Sequence, residues 1–236
     1  MKMKILSTLL LLLGFMGAHA AELVKYELDV NEFHELKVVD GINVVYSCNP
    51  DSAGKAVFTC PSSQAAAFMF NNKKGRLSMQ LSTESVGTAN LPVVHVYSSY
   101  LTRVENSGDS LVKVVNIAQG PKFAAKLIGN GRIVVRDVKA TEVTAAISTG
   151  HGTLVITGEC EHANFNFMGT GVIQADELEA QTANVKAGGT GSIGLWAVKS
   201  FTVMGAGSTK VYFKGTPEIK NRSVGLKTFP LEAMTR

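Results

Sequence analysis

The chain has 236 residues, of which 45% are hydrophobic and 18% are charged, enough apolar material for one domain with a sizeable core. The formal net charge is +4, and the lysines and arginines of the chain form no cluster, so the sequence does not indicate a nucleic-acid partner. After the first twenty residues, no apolar run approaches the roughly 18–20 residues that a helix needs to span a bilayer.

The first twenty residues have the features of an export leader. They start with two lysines, continue with an apolar run from Ile5 to Gly17 that is too short to cross a membrane, and end in the small-x-small cleavage site Ala18-His19-Ala20. We therefore expect residues 1–20 to be a signal peptide and residues 21–236 to be a single mature domain. The protein is then exported, to the periplasm, the cell surface or the medium.

Residues 22–105 alternate between apolar and polar positions over short stretches, which predicts β-strands separated by turns. Two clear examples are residues 76–81 and residues 93–97. Residues 62–70 are tolerable helix formers and predict a short helix. We expect this region to supply N-terminal strands and first coils that cap the rest of the domain.

Two cysteines, Cys48 and Cys60, flank one hairpin-like loop in this region. An exported chain permits disulfides, and residues 12 apart on facing strands can meet. We expect a bridge, which would stabilise the fold by about 3 kcal/mol through chain entropy, and the alternative is two free thiols. Cys160 falls in an apolar pattern and is expected to pack as a small hydrophobic residue.

Five Gly-x-Gly triplets divide the sequence from Ile128 to Phe213 at intervals of about 20 residues. The triplets begin at Gly129, Gly150, Gly169, Gly189 and Gly205. A repeat of this period is typical of a solenoid, in which only the stacking of successive coils buries a core. The triplets lack the third glycine of a dinucleotide-binding loop, and no helical pattern follows them, so they do not indicate a nucleotide site.

Aligning the repeats produces columns of apolar residues. The first two columns are Ile133, Leu154, Ile173, Ile193 and Val135, Ile156, Ala175, Leu195. With a one-residue bulge before Cys160, the next two are Val138, Cys160, Leu178, Val198 and Val143, Phe165, Ala183, Val203. The alternation predicts an all-β fold, a parallel β-helix with about 20 residues per coil over residues 106–213, with residues 214–236 as a C-terminal cap.

Several segments resemble a known family. Phe33-x-x-Leu36-x-Val38 and Asp40-Gly41-Ile42-Asn43-Val44 are similar to the opening signature of the GIN domain, a putative auto-transporter adhesin head domain common in Bacteroidetes. Gly75 to Met79 and Val96 to Asp109 are similar to its later landmarks, so the resemblance covers about residues 33–213. It implies a right-handed β-helix, a cell-surface or periplasmic setting, and no enzyme activity or catalytic residues.

One set of carboxylates is a candidate for catalysis or cation binding. Asp137, Glu159 and Glu177 precede members of the third apolar column, so we expect an outward ladder with about 5 Å between coils. Three stacked carboxylates repel one another, which would favour a bound cation such as Ca²⁺. The interpretation that we favour is a solvated acidic edge beside basic residues. No histidine or cysteine spacing typical of a metal site occurs, so we expect no metal and no cofactor.

Polar side chains at the glycine corners are a second candidate set. The predicted column is Asn130, His151, Thr170 and Thr190, and Trp196 is expected to point outward, where it can stack on a sugar ring. Our leading hypothesis is a non-enzymatic surface adhesion or binding module that holds a glycan or a protein along this polar face. The alternatives are a carbohydrate-active enzyme that uses the carboxylate ladder and a purely structural envelope component.

Overall fold

The computed structural model describes residues 22–85 and 90–231, so the predicted leader lies outside the described residues. Before the first glycine triplet, the strands are β1 (Leu23–Asp29), β2 (Glu35–Val38), β3 (Val44–Cys48), β4 (Lys55–Pro61), β5 (Phe68–Lys73), β6 (Arg76–Leu81), β7 (Val94–Ser98), β8 (Arg103–Asn106), β9 (Leu111–Val114) and β10 (Gly120–Ile128). The helical turns of this part are 3-10 turns at Pro50–Ser52 and Thr83–Ser85 and the helix α1 at Ser62–Ala65.

Four long strands then follow, each of which runs along most of one coil. They are β11 (Arg132–Thr149), β12 (Thr153–Phe167), β13 (Val172–Ala187) and β14 (Ser192–Ala206). The chain ends in β15 (Lys210–Lys214), β16 (Glu218–Val224) and β17 (Lys227–Pro230). Successive long strands pair in parallel, and the result is an all-β solenoid of about 6 turns with about 20 residues per coil, as predicted.

Each long strand bends in its middle, so the solenoid has two flat faces. Face A contains β3, β7, β9, the first halves of β11 to β14, β15 and β17. Face B contains β2, β6, β8, β10, the second halves of β11 to β14, and β16. The bend joins the two faces at one edge, and the glycine corners join them at the other.

The two ends of the solenoid differ. At the N-terminal end, β1 pairs antiparallel with β4, β4 pairs antiparallel with β7, and β5 and β6 form a hairpin. At the C-terminal end, β16 and β17 add in parallel to β14 and β15, so the segment expected to be a cap continues the solenoid. No helix within residues 22–85 and 90–231 is long and apolar enough to cross a membrane.

The glycine corners stack directly on one another. Gly150 has a φ of +82°, and a Cβ at this position would overlap the carbonyl oxygen of Gly129 in the preceding layer. At Gly171 a Cβ would overlap the carbonyl oxygen of Gly152 in the same way. Parallel layers lie only about 4.8 Å apart, so these corners leave no space for a side chain.

The first two predicted apolar columns are confirmed. All eight residues are fully buried, and they are Ile133, Leu154, Ile173, Ile193, Val135, Ile156, Ala175 and Leu195. They pair layer by layer as the alignment predicts, except for Ile156 and Ala175, which lie at the register shift between β12 and β13. The alignment succeeds here because the first half of each coil is counted directly from a stacked glycine corner.

The third and fourth predicted columns are each wrong at two members, because the pairs formed by the long strands β11 to β14 have register shifts at the bend. Val138 pairs with Gly158, not with Cys160, which is two residues further along. Likewise Phe165 pairs with Ala145 in β11, whereas the alignment had placed Phe165 beside Val143. Val198 is 40% exposed and does not belong to the core. The sequence alignment added one residue to β12 before Cys160, whereas at the bend β12 has one residue fewer than β11 between the pairs Val135–Ile156 and Val138–Gly158.

The predicted helix at residues 62–70 is shorter than expected. Helix α1 ends at Ala65, and the chain enters β5 at Phe68. The Phe68 and Phe70 rings lie 4.9 Å and 6.1 Å from the Phe58 ring in β4. The burial of these aromatic rings outweighs the weak helix propensity of the segment.

The predicted disulfide between Cys48 and Cys60 is wrong, and both cysteines are free. Strands β3 and β4 pair with opposite edges of β7, so β7 lies between the two thiols. Cys60 also lies five residues beyond Lys55, the β4 residue that pairs with Tyr97, which places it about 17 Å along the strand from that pair. The Cys48 thiol instead donates to the carbonyl oxygen of Ser99 at 3.0 Å.

The corner geometry predicts a strong position dependence of glycine substitutions. We expect Gly150→Ala to lower the free energy of unfolding by more than about 1 kcal/mol, because the site combines positive φ with a backbone overlap. The matched control is Gly41→Ala, since a Cβ at Gly41 meets nothing within 4 Å. Urea unfolding midpoints measure both, and equal midpoints for the two variants would contradict the stacked corners.

The free cysteines predict the redox and alkaline behaviour of the protein. Burial raises the pKa of the Cys160 thiol to about 12 from its usual 9.0, and it also raises the pKa of Cys60. We expect the stability contribution of Cys160 to be present below about pH 9 and to be lost as the pH rises toward 12, because only the unfolded thiol ionises in that interval.

The measurements are thiol titration and alkylation of the unreduced protein. In denaturant we expect three reactive thiols. In the native state we expect iodoacetamide at neutral pH to modify the half-buried Cys48 much faster than Cys60 or Cys160, which are buried. A mass lower by two hydrogens in the unreduced protein, restored by reductant, would instead establish a disulfide.

Candidate binding site at the bend

The predicted carboxylate ladder does not form. The Asp137 backbone N–H donates to Thr157 Oγ1 at 3.1 Å, and Thr157 pairs with Glu177, so a threonine separates these two carboxylates. Glu159 lies two residues beyond Thr157 and pairs with a different set of neighbours. Within the part of the chain that the structure describes, no group of three histidine, cysteine or acidic residues is arranged to hold a metal ion.

A different column runs along the bend in five successive layers, and we call it the bend column. Its members are Lys139, Glu159, Glu179, Trp196 and Lys214. Lys139 Nζ lies 3.0 Å from Glu159 Oε1, and Lys214 Nζ lies 3.8 Å from the centre of the Trp196 ring. With a layer spacing of about 4.8 Å, the column is about 19 Å long. It unites Glu159 and Trp196, which the sequence had assigned to separate candidate sites.

A groove lies beside the bend column, and we call it the side groove. It consists of two cavities of about 290 Å³ each, which share Gln119, Gly120, Lys139 and Ala140 in their walls. Polar side chains of Glu159, Glu179 and Gln181 complete the first cavity. The second is more apolar and is completed by Tyr100, Leu101, Ile117 and Phe123. The irregular segment between β9 and β10 forms one bank, which gives concavity to an otherwise flat solenoid.

The Tyr100 ring is fixed at one end of the side groove. It lies parallel to the His34 ring, with 5.8 Å between ring centres and 7° between planes. The residue remains 47% exposed, which is high for a tyrosine that packs against another ring. An aromatic ring that is held by a neighbour and remains accessible is well suited to stacking with a ligand.

The first cavity of the side groove is acidic. It is lined by three carboxylates, Glu159, Glu161 and Glu179, and by the single cation Lys139. Among residues 22–85 and 90–231, only Glu159 of these carboxylates forms an ion pair, and its partner is Lys139. The local charge is therefore negative, which favours a neutral or cationic ligand over an anionic one.

The predicted corner column is present as a row of exposed residues, but its polar groups contact one another. The His151 backbone N–H donates to Asn130 Oδ1 at 3.1 Å, and the Thr170 hydroxyl is hydrogen-bonded to His151 Nδ1. Thr190 follows in the next layer, while Trp196 lies at the bend and not in this row. These contacts connect layers of the solenoid, and a ligand-binding role for the row stays a prediction.

Sequence reasoning missed Glu179, Gln181 and Tyr100. Glu179 pairs with Glu159, but the misplaced bulge had aligned Glu159 with Glu177. Aligning the coils on the bend, with Gly158 opposite Leu178, places Lys139, Glu159 and Glu179 together. Tyr100 has no such signal, because its place beside the bend depends on the path of an irregular segment.

Three solved structures are similar to this chain over nearly their whole length. A putative adhesin from Bacteroides fragilis shares 18% identity and a TM-score of 0.74, covering 88% of this chain and 97% of its own. A putative adhesin from Parabacteroides distasonis shares 17% identity and a TM-score of 0.70, covering 89% and 98%. A putative lipid binding protein from the same species shares 16% identity and a TM-score of 0.68, also covering 89% and 98%.

At these identities the similarity concerns the fold alone. No curated protein is detectably similar to the chain. Residues 32–217 match the model of the family described as "Putative auto-transporter adhesin, head GIN domain".

Proposed function

Since the chain belongs to the auto-transporter adhesin head GIN domain family, we propose that it is an exported, non-enzymatic binding module that attaches to a glycan through the side groove. The observation that carries the proposal is the bend column beside this groove. It aligns two carboxylates with an indole ring, and the Tyr100 ring lies at one end of the groove. Sugar-binding sites need this combination of flat apolar surfaces and planar polar groups.

The chemistry of the side groove fits a sugar chain. Aromatic rings such as Tyr100 pack against the apolar face of a pyranose ring, because that face presents C–H groups. Carboxylate oxygens of Glu159 and Glu179 accept hydrogen bonds from sugar hydroxyls, and bonds to a charged acceptor are the stronger kind. The side chains extend from paired β-strands, so little backbone ordering is required on binding.

The charge of the side groove defines the class of glycan. In the first cavity, three carboxylates against one lysine repel uronic acids, sulfates and phosphates. Neutral glycans avoid this repulsion, and amino sugars gain an attraction. We therefore propose a neutral or amino-sugar glycan as the ligand, which differs from the acidic polysaccharides that the enzyme hypothesis would require.

The separation of the predicted catalytic carboxylates argues against the particular enzyme site that the sequence predicted. Asp137 and Glu177 lie on either side of Thr157, and Glu159 is in the bend column, ion-paired with Lys139. An acid and a base that act on one glycosidic bond must face a common site. The structural-component hypothesis differs in requiring no saturable ligand, so a binding measurement separates it from this proposal.

The test is binding of the purified protein to an array of neutral, amino-sugar and acidic glycans, followed by calorimetry with the strongest ligand. We expect Glu179→Gln to weaken binding about tenfold, the equivalent of a lost hydrogen bond to a charged group. Trp196→Ala should weaken binding similarly, and Trp196→Phe should retain most of it. The matched control is Glu177→Gln on the same strand, which is exposed and outside the groove.

Three outcomes would contradict the proposal. The first is an array that shows no saturable binding, which would favour a structural component. The second is a preference for acidic glycans, or an equal loss of affinity in Glu177→Gln, either of which would separate binding from the side groove. The third is the release of shortened sugar chains during incubation, which would establish an enzyme.

A further inference from the structure

An apolar trough lies at the other edge of face B, where β12, β13 and β14 enter the glycine corners. We call it the Met168 trough. Its cavity is about 510 Å³, and six of its lining residues are Phe167, Met168, Ala187, Gly188, Met204 and Ala206. Met168 is 65% exposed, and Val224, which pairs with Ala206 at the C-terminal end, is 75% exposed. Exposed apolar side chains that line a concave surface often mark a binding site.

The glycine corners explain why the trough is open. A Cβ at Gly188 would lie 2.9 Å from the Met168 sulfur, closer than the sum of the two van der Waals radii. Gly205 has a φ of +123°, and a Cβ there would overlap the carbonyl oxygen of Ala187. The stacking of layers therefore excludes side chains from the middle of the trough. The floor consists of backbone and of the buried Phe167 and Ala187.

Two cations lie on the face B side of the trough, and one of them, Lys186, is a lining residue. Lys186 and Arg222 are the strand neighbours of Met204 in the preceding and following layers. Neither forms an ion pair with any other residue that the structure describes, and no carboxylate lines the trough. The nearest pair on this side, Lys220 with Glu218 at 3.1 Å, is locally neutral. The face B side of the trough therefore carries positive charge next to an apolar floor.

We propose that the Met168 trough binds a single-chain anionic amphiphile. Its alkyl chain lies along Met168, Gly188 and Ala206, and its phosphate or carboxylate headgroup lies between Lys186 and Arg222. Apart from Asn166 and Lys186, the lining offers no polar side chain to a polar polymer, and the two cations select a negative headgroup. From the layer of Met168 to that of Ala206 the trough extends about 10 Å, which suits an extended alkyl chain. The site is separate from the side groove and does not depend on the proposed glycan function.

The probes are butyl, octyl and dodecyl phosphate, each titrated into the purified protein below its micelle concentration. We expect affinity to rise between about twofold and fourfold for each methylene group that becomes buried. Dodecyltrimethylammonium, with the same chain and the opposite charge, should bind at least about tenfold more weakly, because the cations repel it. Glycan binding should be unchanged when dodecyl phosphate is present at saturation.

Two pairs of variants test the chain and the headgroup separately. Met168→Gln removes apolar contact, and Ala206→Phe fills the trough. We expect each variant to weaken the binding of dodecyl phosphate at least about fivefold. Lys186→Glu combined with Arg222→Glu should reverse the preference, so that dodecyltrimethylammonium binds more tightly than dodecyl phosphate. The matched controls are Met69→Gln, which replaces another exposed methionine, and Lys199→Glu on β14. Urea unfolding midpoints report whether each variant remains folded.

Several results would overturn the proposal. Equal affinity for butyl and dodecyl phosphate would mean an anion site with no chain in the trough. A loss of affinity in Met69→Gln equal to that in Met168→Gln would place the chain elsewhere. Binding to phosphatidylglycerol vesicles, with no binding of monomeric dodecyl phosphate, would mean docking to a membrane surface in place of uptake of one chain. If the folded Lys186→Glu, Arg222→Glu variant still preferred dodecyl phosphate, the two cations would not be the headgroup site.

Discussion

Layers of parallel strands about 4.8 Å apart, with the same positions of each coil in register, determine the rest of this structure. At the corners this spacing excludes side chains, so that Gly150 and Gly171 rest on the backbone of the layer before them. Along the strands the same spacing turns each position of the coil into a column. Inward columns fill the core, and outward columns form continuous surfaces. Each outward column therefore consists of residues that are about 20 apart in the sequence, and these residues determine the chemistry of the surface.

The sequence predicts the coil well from its glycine corners to the bend, and poorly beyond it. Ile133 and its equivalents are placed correctly because their distance from a stacked glycine is constant. At the bend, β14 has no counterpart to three residues of β13, so Trp196 lies beside Glu179 instead of belonging to a corner row. The Cys48–Cys60 prediction failed for a related reason, since the insertion of β7 between two strands depends on contacts distant in sequence.

The two candidate binding surfaces lie at opposite edges of face B and have opposite chemistry. At the bend, the strands turn through a register shift, and charged side chains of Lys139, Glu159 and Glu179 project beside an irregular segment. At the glycine corners, the backbone itself forms the floor, and the trough around Met168 is lined mainly by apolar side chains, with Asn166 and Lys186 as the polar ones. The surface at the bend exists because the register shift permits different side chains there. The trough exists because stacked layers exclude side chains from the glycine corners. A ligand at one edge need not compete with a ligand at the other.

The bend also determines how members of such a family can differ in length. A residue added at a glycine corner would displace every carbonyl oxygen stacked on it, whereas the bend already accommodates unpaired residues between Val135 and Val138 and between Ala175 and Glu179. We therefore expect most insertions and deletions of a few residues at the bend, although the register shift between Leu127 and Ile128 places one extra residue just before a corner. Because the bend column begins where this tolerance is greatest, evolution can remodel the contact surface of the solenoid without rebuilding its core.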